Sequence, residues 1–522
     1  MHIPDRATFK KLARTATLVP VYRELIVDGL TPVNAYERLA GEGPAFILES
    51  MEGSELIGRY SFVGTSPTML FRSRGREIEI LRKDGKDERF TTDGDPLEEL
   101  KWVMQRFRPA EVPGLPRFCG GAVGYIGYDC VKLFEPSIED RLQDDLGLPD
   151  TVFLITDLLV VFDHVSHRMK VLANAHVPDP AMADTAYDAA LTRIDAILDR
   201  LSQPAAPTLM ELPEGATIPV DRAVNSTMTK AEFTAAVERA KEYIQAGDII
   251  QVVLSQRFET DYTGTPFQLY RALRAVNPSP YMFLLETGDF TLVGASPEIH
   301  VRCEEGRVEV RPIAGTRPRG ASELEDNQLE AELLADPKER AEHIMLVDLG
   351  RNDIGRVCNF GSVQVPELMV IERYSHVMHI VSDVLGELHP DFDAFDVMRV
   401  TFPAGTVSGA PKIRAMQIIE ELEKTRRGAY AGAIGYFSFS GNLDCCIGIR
   451  TAVLHGGKAY VQAGAGLVQD SIPEMEYEET RNKARGLLQA ISLAERLGAP
   501  CPGGAVKGKA AEEGARQGRG QR

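Results

Sequence analysis

Several features are missing from this sequence, and each absence excludes a class of protein. The seven cysteines show no CxxC spacing, so we expect neither a disulfide framework nor a structural zinc site. No run of about 18 apolar residues occurs, and the sequence therefore predicts no membrane-spanning helix. The N-terminal segment MHIPDRATFKKLART lacks the apolar stretch of a secretory signal. These absences predict a cytoplasmic protein that does not contact membranes.

The sequence also lacks an excess of positive charge. It has 58 Lys and Arg against 76 Asp and Glu, which gives a formal net charge of -18. Such a chain has no broad electrostatic footprint for nucleic acid, and we expect no nucleic-acid partner. An anionic substrate would need a local feature that overcomes this global field. With 522 residues, 44% of them hydrophobic, the chain is long enough for a sizeable core.

The pattern of the chain predicts an α+β fold with four regions. Residues 1–201 form an N-terminal domain of mixed strands and helices, and residues 202–226 contain four prolines without periodicity, which predicts a linker. Residues 227–497 form a second domain, and residues 498–522 are rich in Gly, Ala, Lys and Arg and are expected to be disordered. Thr229 to Glu232 fits a capping box at a helix start. Apolar runs predict single long strands over 151–164 and 444–452.

Two pairs of glutamates lie on predicted helices near the middle and the end of the second domain. Glu339 and Glu342, and likewise Glu476 and Glu479, are spaced i,i+3, which puts both carboxylates of a pair on one helix face. Two such faces brought together would make an oxygen-rich site suited to Mg²⁺. Glutamate pairs are common on solvated helix faces, so the spacing alone does not decide between these readings.

Other candidates are ambiguous taken one at a time. Gly464 to Gly466 follows a predicted strand and could form an anion-binding nest or a simple turn. His379 lies on an apolar strand, where a buried structural histidine is the commoner case. Glu298 follows a turn and could be an ordinary surface acid, whereas Arg450 ends an apolar strand and needs a carboxylate partner, internal or from a ligand. The segment 405–412 lacks the P-loop spacing.

Four motifs in order nevertheless resemble one family. PIAGTRP (312–318), LVDLGRND (346–353), TVSGAPK (406–412), and QAGAG (462–466) with ETRN (479–482) are similar to chorismate-utilising enzymes, densely from residue 228 to 498. Within the family the chain most resembles the large, component I subunits of anthranilate synthases. The resemblance implies a large layered α/β fold with mixed, largely antiparallel sheets flanked by helices. It also implies a Mg²⁺-dependent lyase that converts chorismate and ammonia to anthranilate and pyruvate.

The resemblance implies a role for each matching residue. Mg²⁺ would be held by Glu342 and Glu479, with Glu339 and Glu476 supporting. Glu298 matches the general acid for the departing 4-hydroxyl, and His379 matches the histidine of the later pyruvate elimination. Thr406 and Gln251 would line the same catalytic pocket. The residues expected to contact chorismate are Gly315, Thr316, Tyr430, Arg450, Gly464, Ala465 and Gly466.

Two positions distinguish relatives within the family. Water-adding members use a lysine base where this chain has Gln251, and glutamine cannot deprotonate water. Aminodeoxychorismate synthases resemble one another in a PIKGT motif, whereas this chain has Ala314 in place of that lysine. Both differences favour anthranilate as the product. The alternatives are an aminodeoxychorismate synthase component I and a non-catalytic tryptophan-binding homologue.

The resemblance also implies regulation and partners. The segments 48–50 and 277–282 are similar to the family's tryptophan pocket, which Ser50, Pro280, Tyr281 and Met282 would line, although NPSPYM is also an ordinary turn before a strand. We therefore expect feedback inhibition by L-tryptophan. The sequence contains no glutaminase region, so ammonia would come from a separate glutamine amidotransferase subunit (component II), and we expect a heterotetramer.

Overall fold

The computed structural model describes residues 2–41, 43–51, 58–203, 220, 222–374 and 377–498. Most of the predicted linker, residues 204–219 and 221, lies outside the described residues, as does the predicted tail from residue 499 onward. At the ends of the predicted linker, Ser202 belongs to a helix and Asn225–Ser226 to a short strand. Among the described residues, none of the helices has the length and apolar character that crossing a membrane requires.

The described residues form α-helices and β-strands, many of which follow one another in runs of one kind. The α-helices are α1 (Arg6–Leu12), α2 (Pro32–Leu39), α3 (Pro96–Gln105), α4 (Val131–Phe134), α5 (Ala183–Ser202), α6 (Lys230–Ala246), α7 (Pro266–Val276), α8 (Glu323–Ala335), α9 (Pro337–Gly355), α10 (Ala394–Thr401), α11 (Gly405–Ser408), α12 (Lys412–Leu422) and α13 (Pro473–Gly498). The strands of the first half are β1 (Leu18–Ile26), β2 (Ala45–Glu49), β3 (Tyr60–Thr65), β4 (Met69–Arg74), β5 (Glu77–Arg82), β6 (Glu88–Thr91), β7 (Gly121–Ile126), β8 (Thr151–Thr156), β9 (Leu158–Asp163), β10 (Arg168–His176) and β11 (Asn225–Ser226). Those of the second half are β12 (Gln251–Asp261), β13 (Tyr281–Glu286), β14 (Thr291–Ser296), β15 (Ile299–Glu304), β16 (Arg307–Val310), β17 (Ile313–Pro318), β18 (Gln364–Arg373), β19 (Val377–Glu387), β20 (Gly409–Ala410), β21 (Ala433–Ser438), β22 (Leu443–Ile447), β23 (Thr451–His455) and β24 (Lys458–Leu467).

The strands form two large antiparallel sheets, each built from both halves of the chain. The first sheet has the order β1-β10-β9-β3-β2-β13-β14-β23-β24-β12-β11, with β20 beside β12. The second has the order β17-β19-β16-β15-β22-β21-β7-β8-β4-β5-β6, with β18 beside β19. The two predicted domains therefore share both sheets, through the pairs β2·β13 and β7·β21. The division of the chain into two domains remains a prediction.

The core lies between the two sheets and between each sheet and its helices. Side chains from both sheets, among them Phe62, Phe283, Leu154 and Tyr436, form one buried cluster, so the sheets pack face to face. Along β8, Val152 and Leu154 belong to this cluster, whereas Phe153 and Ile155 pack with helix residues on the other face. Strands buried on both faces need continuous apolar sequence. The result is an α+β fold of four layers, helices on either side of two sheets, which confirms the predicted fold class.

The chain passes repeatedly from one sheet to the other, and two of the predicted strands are wrong for this reason. Residues 151–164 form β8 in the second sheet and β9 in the first, separated at Asp157. Residues 444–452 likewise divide into β22 in the second sheet and β23 in the first. Because both strands of each run are buried, the apolar pattern continues through the crossing and conceals it.

Candidate functional site

Glu298 and Arg450 lie at two crossings that are side by side. Glu298 stands between β14 of the first sheet and β15 of the second, and Arg450 stands between β22 of the second and β23 of the first. Since β14 pairs with β23 and β15 pairs with β22, the two crossings are adjacent. Ile447 N–H donates to the Glu298 carbonyl at 3.0 Å, and Ala295 N–H donates to the Arg450 carbonyl at 3.1 Å. The fold thus brings together an acidic and a basic side chain that are distant in sequence.

The Glu298 carboxyl lies where its protonated form is favoured. Removal from water raises its pKa, and the Thr406 side chain and the Lys483 and Arg450 charges oppose this shift only in part. Glu298 and Thr406 line one cavity, in which the buried Thr406 hydroxyl lies beside the Glu298 carboxyl without a well-formed hydrogen bond to any of the described residues. A carboxyl that keeps its proton to higher pH suits a general acid.

Arg450 supplies positive charge to the same place. Its backbone has φ of 50°, a left-handed conformation that non-glycine residues seldom adopt and that is often found at functional sites. Burial lowers the pKa of Arg450, whereas Glu298, Tyr430 and Glu479 raise it. Its Nη1 donates to the Lys483 carbonyl at 3.0 Å, and none of the described carboxylates forms an ion pair with it. Of the two partners that the sequence left open, a ligand carboxylate is therefore the one the geometry favours.

His379 is fixed by strand β17, which carries Gly315 and Thr316. Thr316 and His379 pair across β17 and β19, and His379 Nδ1 lies 3.0 Å from both the Gly315 carbonyl and the Thr316 hydroxyl. Burial lowers the pKa of His379, which favours a neutral ring. A proton on Nδ1 satisfies the Gly315 carbonyl and leaves Nε2 as an acceptor. His379 is thus a tethered imidazole rather than an unattached core residue.

The predicted placement of the glycine nest after a strand is wrong, whereas its contact with chorismate stays a prediction. Gly464, Ala465 and Gly466 lie inside β24 and pair with Ser255, Leu254 and Val253 of β12, so they do not follow a strand. What requires glycine here is space: a Cβ at Gly464 would lie 2.6 Å from the Tyr430 hydroxyl, and one at Gly466 would lie 2.7 Å from Gln251 Nε2. The two glycines therefore leave open space between Tyr430 and Gln251, where a ligand can closely approach the backbone of β24.

The four glutamates form two pairs, one on α9 and one on α13. Gln251 Nε2 donates to Glu342 Oε1 at 3.3 Å, and Glu339 contacts Arg317 at 3.4 Å. Burial, reinforced by the neighbouring Glu339 and Glu479 respectively, raises the pKa of Glu342 and of Glu476. The charges of Lys338 and Lys483 act on both carboxyls, so the two pairs border the same space.

The carboxylate oxygens of these four glutamates are chemically suited to bind a hard divalent cation. Carboxylate oxygens whose charge is opposed by burial and by like neighbours are stabilised when a cation joins them. The spacing is wider than that of a closed metal site: among the described residues, no three acidic, histidine or cysteine side chains converge closely enough to hold an ion. Lys483 occupies part of the space, with Nζ 2.7 Å from Glu479 Oε1.

Lys483 is a residue that the sequence interpretation missed. Its Nζ contacts Glu479 and donates to the Gly464 carbonyl at 3.0 Å, and its charge acts on Glu298, Glu342 and Glu476. The available signal was its i,i+4 spacing from Glu479 on a predicted helix, which places both on one face. Gln251 and Glu342 line another cavity, distinct from the one that Glu298 and Thr406 line.

The residues predicted for tryptophan line a separate cavity between the two sheets. Ser50, Pro280, Tyr281 and Met282 all border one cavity. Its other walls include the rings of Tyr60, Phe62 and Tyr436 and the charged side chains of Arg117, Arg302 and Asp444. The Ser50 hydroxyl is buried without a hydrogen-bond partner among the described residues. Aromatic walls with charges of both signs suit an aromatic amino acid.

Comparison with known proteins matches this architecture. The family model described as "chorismate binding enzyme" matches residues 79–489, which extends well beyond the densest part of the predicted resemblance. The anthranilate synthase component 1 of Aquifex aeolicus (strain VF5) is 50% identical over 93% of this chain and 97% of its own. That of Acetivibrio thermocellus is 47% identical over 95% of this chain and 100% of its own.

A solved structure is similar over nearly the same span. Anthranilate synthase component I from Streptococcus pneumoniae TIGR4 superimposes with a TM-score of 0.73 and 39% identity, covering 89% of this chain and 99% of its own.

Proposed function

Since the chain belongs to the chorismate-binding enzymes and, within them, to the component I subunits of anthranilate synthase, we propose how its own residues perform that lyase reaction. Ammonia attacks ring C2 of chorismate, the 4-hydroxyl leaves as water, and 2-amino-2-deoxyisochorismate forms. Loss of the C2 proton and of pyruvate then makes the ring aromatic. The observation that carries the residue assignments is the adjacency of Glu298 and Arg450 at the paired crossings.

The first step depends on protonation of a poor leaving group. Glu298, whose pKa burial raises, gives its proton to the 4-hydroxyl as the C–O bond breaks. Arg450 binds a carboxylate of chorismate, and Thr406 donates or accepts a hydrogen bond beside Glu298. Gln251 cannot deprotonate a nucleophile, and ammonia needs no such help. Neutral His379, tethered by Gly315 and Thr316, serves the pyruvate-eliminating step.

The other contacts proposed for chorismate lie around the open space beside β24. Tyr430 and Gln251 border the space that Gly464 and Gly466 leave open, and Ala465 lies between these two glycines. Glu342 and Glu479 would hold Mg²⁺, with Glu339 and Glu476 supporting. When bound, the ion would act as a Lewis acid on the ring carboxylate of chorismate.

A product assay tests the function directly. The purified chain, mixed with chorismate, Mg²⁺ and ammonium, should form anthranilate, identified by mass and fluorescence. Aminodeoxychorismate, isochorismate or salicylate as the product would contradict the proposal. Aminodeoxychorismate is the nearest rival product, and Ala314 argues against it, whereas Gln251 argues against the two products that require water as the nucleophile. A non-catalytic tryptophan-binding homologue would form no product at all.

Metal removal tests the role of the glutamates. EDTA should abolish anthranilate formation, and excess Mg²⁺ should restore it. A readout independent of turnover is the binding of Mg²⁺ by calorimetry in the presence of chorismate, which Glu342→Gln should weaken by at least about tenfold. Glu478→Gln, an exposed neighbour of Glu479 on α13, is the matched control and should leave Mg²⁺ binding unchanged.

The proposal extends to a partner and an inhibitor. A component II glutaminase would supply ammonia, so the chain alone should use ammonium but not glutamine, and addition of that subunit should give glutamine-dependent turnover as a heterotetramer. L-tryptophan would bind in the cavity bordered by Ser50, Pro280, Tyr281 and Met282 and inhibit the enzyme. We also propose a cytoplasmic location.

A further inference from the structure

We infer that Arg427, held by Glu423, is a positioning residue for the substrate pocket, because its guanidinium binds together the segments that carry Gln251, Thr406 and Tyr430. These three residues are far apart in sequence and must keep fixed distances around one small substrate. The inference rests on their proposed roles toward chorismate.

Arg427 and Glu423 form a buried ion pair with two hydrogen bonds. The Arg427 side chain is 0% exposed and that of Glu423 is 4% exposed. Arg427 Nη2 lies 2.6 Å from Glu423 Oε1, and Nε donates to Oε2 at 3.0 Å, so the contact is bidentate. Glu423 Oε1 also accepts from the backbone N–H and the hydroxyl of Ser255, each at 2.8 Å. The carboxylate therefore fixes the guanidinium plane against β12.

The other donors of Arg427 go to the segments around the pocket. Nη1 donates to the Val407 carbonyl at 2.7 Å, one residue after Thr406, and Nη2 donates to the Val253 carbonyl at 2.8 Å, two residues after Gln251. The guanidinium carbon lies 5.5 Å from the centre of the Tyr430 ring. The Tyr430 hydroxyl in turn borders the space left open at Gly464. One side chain thus contacts three walls of the proposed site.

Stability alone does not account for this arrangement. A buried ion pair can often be replaced by apolar side chains of similar volume with little loss of stability. Two carbonyls and a carboxylate that converge on one group require a planar cation with several donors, which lysine cannot replace. Pocket geometry is sensitive to such a change, because a shift of about 1 Å in a positioned group can cost a hundredfold in rate.

Two variants separate positioning from stability. Arg427→Lys keeps the charge that neutralises Glu423 but loses the bidentate hydrogen bonds of the guanidinium group. The double variant Arg427→Met with Glu423→Met removes both charges. We expect both variants to unfold within about 5 °C of the wild type. We expect kcat/KM for chorismate, measured with ammonium, to fall by at least about tenfold in both, with no recovery in the double variant.

The matched control is a bidentate pair that contacts none of the segments carrying Gln251, Thr406 and Tyr430. Arg399 binds Asp95 through Nε at 2.9 Å and Nη2 at 3.1 Å, between α10 and α3. Arg399→Lys should leave both kcat and KM unchanged. Wild-type kcat/KM in Arg427→Lys would overturn the inference, and so would a double variant that regains activity together with stability. Failure of the wild type itself to make anthranilate would instead contradict the proposed function.

Discussion

At the scale of single residues, the sequence predicted which side chains matter better than it predicted how they are held. Glu298, Thr406, Tyr430 and Arg450 were identified by motif, and the structure brings all four into one region. Lys483 was missed because a lysine on an amphipathic helix is usually a solvated side chain. What the motifs could not predict is the source of each shifted pKa, since burial depends on which distant elements cover a residue.

Glu298 offers the first prediction at this scale. Glu298→Gln should lower kcat by about 10²-fold or more, because the amide cannot donate a proton to the departing 4-hydroxyl. The loss should appear in kcat and kcat/KM alike, measured by anthranilate fluorescence under saturating chorismate. A change confined to KM would show that Glu298 binds substrate and does not protonate it.

The same substitution has an effect on stability with a definite sign. The pKa of Glu298 is raised in the folded state, so the folded protein holds this proton more tightly than the unfolded chain, and stability from this group is lost as pH rises through the folded pKa. The melting temperature of Glu298→Gln minus that of the wild type should therefore increase with pH. Glu286, whose pKa burial also raises and which bonds Tyr36, provides the control. Glu286→Gln should show a similar trend in melting temperature with unchanged kcat.

Ser50 offers a prediction for the second cavity. Its buried hydroxyl has no partner among the described residues, so Ser50→Ala should not destabilise the fold. If the hydroxyl bonds bound tryptophan, its removal should raise the inhibitory concentration of tryptophan by about fivefold to tenfold, from a lost hydrogen bond of about 1 kcal/mol. Uninhibited kcat should not change. Equal tryptophan sensitivity in Ser50→Ala and in Ser492→Ala, a buried serine of α13 outside this cavity, would refute the assignment.

At the scale of elements, the helices were predicted well and the sheet crossings poorly. The capping box placed the start of α6 correctly because caps are local chemistry. The strands over 151–164 and 444–452 were joined wrongly, since both sheet faces are buried and no polar residue alternates to mark a change of partner. A usable signal existed in the sequence: GTSPT at 64–68 and GASPE at 294–298 are similar, and both span a crossing between sheets.

The start of α6 offers a prediction at the element scale. Glu232 N–H donates to the Thr229 hydroxyl at 3.3 Å, and Glu232 Oε2 accepts from Thr229 N–H at 2.8 Å. Thr229→Ala removes the first bond and should lower the free energy of unfolding in urea by about 1 kcal/mol. Thr234→Ala, at a half-buried position of the same helix, should have a smaller effect because threonine is a weak helix former there. An equal loss of unfolding free energy in the two variants would show that the capping hydrogen bond adds no stability of its own.

At the scale of the whole molecule, the net charge of -18 and an anionic substrate are compatible because charge is distributed unevenly. Arg450 and Lys483 both act on Glu298, so positive charge is concentrated where the two sheets exchange strands. The acidic pairs on α9 and α13 add a place where a divalent cation can join protein and substrate. Arg450 and Lys483 thus supply positive charge beside Glu298 in a chain whose net charge is negative.

The last prediction concerns the two halves of the chain. Both sheets contain strands from each half, and cutting the chain into 1–203 and 220–522 would leave the pairs β2·β13 and β7·β21 unmade in either piece alone. It would also expose one side of the inter-sheet core, to which Phe62 and Phe283 belong. Exposed strand edges and apolar surface of that kind lead to aggregation.

We therefore expect neither piece to unfold cooperatively when expressed alone, and the two expressed together to copurify and form anthranilate. The control is the full chain with a protease site inserted between Gln203 and Val220 and cut after folding, which should elute as one particle and keep its turnover. Cooperative thermal unfolding of either separate piece would contradict the expectation and would favour two independent domains. The reason for expecting interdependence is that each sheet, and the buried cluster between them, is complete only when strands of both halves are present.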